Sequence, residues 1–543
     1  MIMRKFSYFL IFFIMYSCGE KVDLLVYNAK VYTANETFDK STSFVVRDGI
    51  FIEVGGDDLK DRYNPSSVVD ARGLTIVPGL IDAHCHFLQY GLENQQINLR
   101  GTKSFDEVIK RVKKFVLDNN PKIIYGRYWD QNDWELKEFP NKSRLDILFP
   151  DTPVVLERVD GHAYLVNQKT LDISGIDSLT RVDGGTIVLE NGKPTGILID
   201  SPMDLVKESL PKPSIDARVK ALLLAEEKSF EFGLTTVDDA GLSKENILLI
   251  DSLHKSNILR MRVYAMISNE KNDVNYFLNN GILKTEKLNV RSIKVYADGA
   301  LGSRGAALKK PYSDMRNHRG KFITSVNSMD SLAKVIASTN FQMNTHAIGD
   351  NANHSILKIY NEVLAEKNDP RWRVEHSQII SPEDFQMFNS KIIPSIQPTH
   401  ATSDMYWADE RIGVKRLKEG GYAYKKLLDW SGIVALGTDF PVENINPFHT
   451  FYAAVARKDL SMFPYGGFQS ENSLSRYEAL MGMTSWAAYS NFEEKEKGSI
   501  EIGKMADFVI LDRDIMTVEE GEIFSTKVVA TILGGNVVYS NRL

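Results

Sequence analysis

Short apolar runs rich in Val, Ile and Leu recur through the middle of this chain, alternating with amphipathic stretches such as Asp216 to Phe232. Apolar runs separated by helical patterns mark strands buried on both faces, the texture of a parallel sheet covered by helices. The predicted strands are Leu74 to His86, Val154 to Val159, Leu234 to Asp238, Ile293 to Ala297, Gln342 to His346, Arg373 to His376, Ile392 to Ser395 and Val434 to Asp439. Eight such strands close a (β/α)8 barrel, a TIM-like α/β fold. The ends of the chain have another texture. VDLLVYNAKVYTA, SFVVRDGIFIEVG and SSVVDARGLTIV are separated by Asp-Gly and Gly-Gly turn signals, and GSIEIGKMADFVILD and VVATILGGNVVYS return to the same pattern near residue 500. These read as antiparallel strands, so both ends are expected to build one small β-sandwich. The expected boundaries are 18–77 and 491–543 for the sandwich and 78–490 for the barrel. Two insertions are expected, one holding SFDEVIKRVKKFVLDNN and YGRYWDQNDW, the other near Asp172 to Pro213.

Residues 1–17 read as an address. Arg4 and Lys5 precede the apolar run Phe6 to Tyr16, which is too short to span a bilayer and is followed by Ser17, Cys18 and Gly19. This resembles a bacterial lipoprotein signal cleaved before Cys18. The resemblance implies a lipid anchor on Cys18 and a place in the cell envelope, facing the periplasm or the exterior. Of two cysteines, Cys85 is then left without a disulfide partner and reads as a small buried residue. The formal charge of −6 and the lack of a long basic run argue against a nucleic-acid partner.

Candidate chemistry gathers at the ends of the predicted strands: His84 and His86 in GLIDAHCHF, Lys294 in IKVYADGA, His346 in QMNTHAIGD, His376 in WRVEHSQ and Asp439 in VALGTDFP. The C-terminal ends of barrel strands converge on one mouth, so residues distant in sequence meet there. His84 and His86, two apart on a strand, present two imidazoles from one face. His162 in VDGHAY and His400 in SIQPTHAT also end at the mouth and are candidates for substrate contact. Arg304, in ADGALGSRGAAL, reads equally as a clamp for a substrate carboxylate or as the partner of a loop acid.

Taken in order, PGLIDAHCH, VDGH, GLTTVDDAG, KVYADGALGSR, THAIGD, VEH, GTDFP and KGSIEIGKMADFVILD resemble the metal-dependent amidohydrolase superfamily. Within it, the chain resembles the extracytoplasmic amidohydrolase group that includes N-substituted formamide deformylases, from about Val22 to Tyr539. The resemblance implies a barrel with a urease-like β-sandwich, one or two zinc ions, and hydrolysis of a C–N bond in a small-molecule amide, imide or N-formyl substrate. It also allows a homodimer. His84, His86, Lys294, His346, His376 and Asp439 fall on the family's ligand positions. An ordinary lysine is an ammonium without a lone pair, so Lys294 would serve as its CO₂ adduct, a carboxylated lysine bridging two ions. His84, His86 and Asp439 would hold the more buried ion, and His346 and His376 the second. A metal-bound hydroxide would then be the nucleophile. Asp439 would take its proton and return it to the departing nitrogen, with His162 and one metal stabilising the oxyanion. An esterase or lactonase is the nearest enzymatic alternative. A non-catalytic, lipid-anchored ligand-binding barrel is the alternative from another class.

Overall fold

The computed structural model describes residues 20–159, 161, 163–182 and 185–541. They form two compact units: Phe87–Ala225, and the described residues up to His86 together with those from Glu226 onward. No helix among the described residues is long and apolar enough to cross a membrane.

In the larger unit the two chain ends build a sandwich. One sheet runs Ile50–Gly55, Ser43–Arg47, Glu20–Tyr27, Tyr63–Asp70, and the other runs Asn536–Ser540, Val528–Leu533, Phe508–Leu511, Thr75–Pro78, Lys30–Tyr32, Lys40–Ser41. Alternate residues of both sheets meet in one core. Phe44 packs edge-on against Phe51 at 5.2 Å and against Phe508 at 4.9 Å. Edge-to-face packing of this kind adds to the burial of three large apolar side chains.

The predicted strand Leu74 to His86 is divided at Gly79. Thr75–Pro78 belongs to the sandwich, whereas Leu80–Cys85 opens the barrel. A Cβ on Gly79 would stand 2.2 Å from Thr235 Oγ1, so only glycine lets the chain pass between the two layers here.

The barrel strands are β1 (Leu80–Cys85), β2 (Leu234–Leu242), β3 (Arg262–Ile267), β4 (Leu288–Tyr296), β5 (Gln342–Ala347), β6 (Trp372–His376), β7 (Ile392–Ile396) and β8 (Ala435–Leu436). All are paired in parallel, in chain order. One expected member is corrected. Val154–Arg158 is not a barrel strand: it pairs with Ile124–Trp129 and Ala163–Val166 in the smaller unit, and Arg262–Ile267 takes the vacant place. The seam between β8 and β1 is closed just past β8. Asp439 N donates to His84 O at 2.7 Å, and His86 N donates to Phe440 O at 2.8 Å. Asp82 reinforces the seam by accepting from Thr438 N and Thr438 Oγ1.

A polar hub fills the centre of the barrel. Arg373 is fully buried and donates to Glu375 Oε1 at 2.7 Å, Asp238 Oδ2 at 2.7 Å, Asn491 Oδ1 at 3.2 Å and Ser395 Oγ at 3.0 Å, and also to Ala83 O. Asn491 comes from a segment packed under the barrel, where Gln342 Nε2 also donates to Ser490 O and Asn289 Nδ2 to Asn491 O. The smaller unit has its own six-stranded sheet and core. There Trp129 and Trp134 are buried with ring centroids 6.0 Å apart, and Trp129 Nε1 donates to Leu156 O.

Removing one partner of a buried, hydrogen-bonded charge network leaves the others uncompensated, at a cost of about 3–5 kcal/mol. Arg373→Met keeps much of the length of the side chain but strips the guanidinium donors from Glu375 and Asp238. We expect the urea midpoint to fall by the equivalent of about 3–5 kcal/mol. A midpoint indistinguishable from that of the parent would remove Arg373 from the centre of the fold.

Candidate metal centre

Strand β1 ends in Asp82-Ala83-His84-Cys85-His86, and its alternation sends His84 and His86 towards the barrel axis while Cys85 faces away. Cys85 is fully buried, burial holds its thiol well above the usual range, and it packs as a small apolar residue. Lys294 projects from β4, His346 from β5 and His376 from the last residue of β6. Asp439 follows β8. His376 and Asp439 both have left-handed backbones, with φ of 71° and 62°. Such conformations cost a non-glycine residue about 1–3 kcal/mol and persist where the surroundings over-determine them. Both turn a strand end so that its side chain faces the centre.

The structure brings these residues together. The candidate ligand atoms of His84, His376 and Asp439 lie within 4.8 Å of one another. His86 Nε2 stands 3.2 Å from Asp439 Oδ1, and Lys294 Nζ stands 3.1 Å from His84 Nε2. The ring centroids of His346 and His376 are 4.6 Å apart. The ring centroids of His84 and His376 are 4.8 Å apart, so His376 is about as close to His84 as to His346.

Three outer acceptors set the imidazole tautomers. Nδ1–H of His84 donates to Glu375 Oε2 at 2.5 Å, that of His86 to Ala240 O at 3.1 Å and that of His376 to Gln397 Oε1 at 2.7 Å. Each leaves Nε2 as a lone pair directed at the centre, as in metal-binding histidines generally. Burial keeps the rings neutral: it pushes His84 down to about 4, His346 to about 3 and His376 well below the ordinary value, with Lys294 contributing to each. Burial likewise lowers Lys294, to about 8. Burial opposes the charge on Asp439, but its contacts with His86, His84 and His376 outweigh this and hold the carboxyl well below its usual range. Buried Asp439 Oδ1, His346 Nε2 and His400 Nε2 have no hydrogen-bond partner. Neutral imidazoles and a carboxylate with unpartnered atoms in one buried cluster are a donor set that a divalent cation satisfies.

The other predicted residues divide. His400, on the helix Pro398–Asp404 after β7, lies 3.7 Å from Asp439 Oδ2 and stacks on His376. Arg304 pairs with Asp314 through Nε at 3.1 Å and Nη2 at 2.7 Å. Asp298, four residues after Lys294, accepts the backbone N–H groups of Ala307, Ile348 and Gly349. His162 and Cys18 lie outside the described residues.

Sequence reasoning assigned no role to Glu375, Arg373, Asp238 or Gln397. Glu375 orients His84, and Arg373 holds Glu375 well below the usual carboxylate range against the effect of burial. The available signal was two charges spaced by two in the apolar run WRVEH, which places both on the inward face of the strand.

The chain matches the amidohydrolase family over residues 67–539. Among curated proteins it is 33% identical to Protein LONG AFTER FAR-RED 3 of Arabidopsis thaliana, over 96% of this chain and 92% of that protein. It is 24% identical to the N-substituted formamide deformylase of Arthrobacter pascens, over 95% and 98%. Among solved structures, an uncharacterized metal-dependent hydrolase from Pyrococcus furiosus superposes with a TM-score of 0.78 at 25% identity, covering 91% of this chain and all of that one. A match spanning most of the chain, with this donor cluster at the mouth of its barrel, makes the protein a member of the amidohydrolase family of hydrolases.

Proposed function

We propose that the protein is a zinc-dependent hydrolase that cleaves the C–N bond of an amide, imide or N-formyl compound. The observation that carries this reading is the Asp439 carboxylate: ionised, with an unpartnered oxygen, among neutral imidazoles at the barrel mouth. His84, His86 and Asp439 would hold one ion, His346 and His376 a second, and Lys294 would join them as its CO₂ adduct. The 3.1 Å approach of Lys294 Nζ to His84 Nε2 and the lowered basicity of its amine support that modification, because only a neutral amine has the lone pair that attacks CO₂. Bound at this cluster, zinc supplies Lewis acidity, polarising a carbonyl and acidifying water.

The residues of the chain divide the remaining work. Asp439 accepts a proton from the attacking water and delivers it to the nitrogen of the leaving group, which departs poorly as an anion. His400 stands beside Asp439, where it can donate to the carbonyl oxygen or steady the carboxylate. Glu375 fixes the ring of His84, and Gln397 that of His376, so the donors are arranged before substrate arrives. The name of the Arthrobacter relative, a deformylase of N-substituted formamides, supports a substituted amide nitrogen as the site of cleavage.

We also propose that Cys18 carries a lipid anchor and that the protein works at the cell envelope. In the native host, Cys18→Ala is expected to move the protein from the membrane fraction to the soluble fraction and to abolish labelling by a fatty-acid probe. Unchanged labelling would overturn the assignment.

Protein purified without chelator and with bicarbonate present is expected to hold close to two zinc ions per chain, falling to one or fewer in Lys294→Ala. Equal zinc in the two proteins would exclude a ligand role for Lys294. Asp439→Asn should lower kcat by at least about a hundredfold, measured across matched amides and esters. Persistent turnover would remove Asp439 as the proton carrier, and turnover of the esters alone would reassign the enzyme to C–O bonds.

A further inference from the structure

Two side-chain contacts tie the helix after β7 to the loop after β8. In the inner one, His400 Nε2 lies 3.7 Å from Asp439 Oδ2. In the outer one, Ser403 Oγ donates to Glu443 Oε1 at 2.5 Å. His400 and Ser403 are three residues apart on one helix, so they share a face about one turn, or ~5 Å, from each other. On the other side a tight turn, with Val442 N donating to Asp439 O at 2.8 Å, carries the chain from Asp439 to Glu443. The two contacts therefore define a line that starts at the proton-carrying carboxylate and leads away from the metal cluster to a second carboxylate.

The outer pair, Ser403 and Glu443, also lines a cavity of about 180 Å³, whose other walls include Thr399, Thr402, His449, Ala453 and Leu460. Its charge is one-sided. Among the described residues no lysine or arginine pairs with Glu443, whose carboxylate is only partly exposed. Lys458, the basic residue on the same wall, is occupied at 2.5 Å by Glu520. Asp459 is held by the backbone N–H groups of Ser461 and Phe463 and brings a second negative charge. A half-enclosed space with two carboxylates and one already neutralised base complements an organic cation, and Ala453 and Leu460 offer apolar flanks for the chain that carries it.

The direction of the substrate follows from the chemistry. If Asp439 returns its proton to the departing nitrogen, that nitrogen lies beside Asp439, and its substituent continues along the line towards Glu443. We propose that this cavity binds the N-substituent of the substrate and selects one ending in an ammonium or guanidinium group, with Glu443 as the residue that determines specificity. The inference rests on the C–N hydrolase reading.

The test uses two amides of equal length, N-hexylacetamide and N-(5-aminopentyl)acetamide, with zinc-loaded protein. Binding is followed by calorimetry, and turnover by release of the amine. The charged amide is expected to bind about tenfold more tightly than the neutral one in the parent, and the difference is expected to vanish in Glu443→Gln, with thermal melting confirming that the variant is folded. If neither amide is cleaved but the charge preference is present and depends on Glu443, the cavity assignment stands while the C–N reading falls. If both are cleaved with equal kcat/KM and bind equally, the C–N reading stands while the cavity assignment falls. A preference that survives in Glu443→Gln overturns the role of Glu443, and the absence of any preference in the parent overturns the proposal.

Discussion

The guanidinium of Arg373 is the point on which the barrel and its chemistry both depend. It is fully buried, and its donors reach β1 through Ala83, β2 through Asp238, β6 through Glu375, β7 through Ser395 and the segment beneath the barrel through Asn491. A planar cation with five donors can bind that many acceptors in fixed directions, which a flexible ammonium cannot. Burying it costs several kcal/mol of solvation, recovered only because every partner is in place. The same arrangement makes Glu375 an anion inside the protein, and that anion fixes His84 in the tautomer a metal requires. Stability and ligand geometry therefore share one set of hydrogen bonds.

A second constraint acts at the seam. Asp439 closes the barrel with its backbone, adopts a left-handed conformation, and places its carboxylate among the imidazoles. Burial favours the uncharged form of both kinds of group. It favours neutral histidines, which frees their lone pairs, and it opposes the charge on Asp439. In the absence of an ion the cluster keeps unpartnered polar atoms in the interior, a cost that binding a cation offsets.

Much of this was legible in the sequence, for identifiable reasons. The ligand candidates were visible because each ends an apolar run, and a barrel has one mouth at which such ends meet. The sandwich was visible because Asp-Gly and Gly-Gly turns punctuate both chain ends. The identity of one strand was not visible. VVLERV and RVYAMI are both short apolar runs with β-branched residues, and periodicity cannot say which sheet a run will join. Partners decide that, and they lie elsewhere in the sequence: Val154–Arg158 is claimed by Ile124–Trp129 and Ala163–Val166, Arg262–Ile267 by β2 and β4. Arg373 and Glu375 were overlooked because charges in a predicted buried strand read as noise until their partners Asp238, Asn491 and His84 are known to converge on them. The division at Gly79 depends on the position of Thr235, which no local pattern reports.

The same geometry explains where this fold leaves room for variation. His84 is fixed on both sides, by a backbone bond across the seam and by Glu375 behind its ring, while Asp439 shares that seam bond and Gln397 holds the ring of His376. A change in His84 or Asp439 disturbs barrel closure or the hub as well as the site. The exposed residues beyond the Phe440–Pro441 step carry no such double duty. In the turn at Val442 to Asn444 the side chains belong to the rim, and Glu443 is joined to the helix after β7 through Ser403 rather than through the core. Selection for a different leaving group can therefore act on the loops after β7 and β8 while the proton-carrying carboxylate stays in place, which separates the residues that cleave a bond from those that choose it.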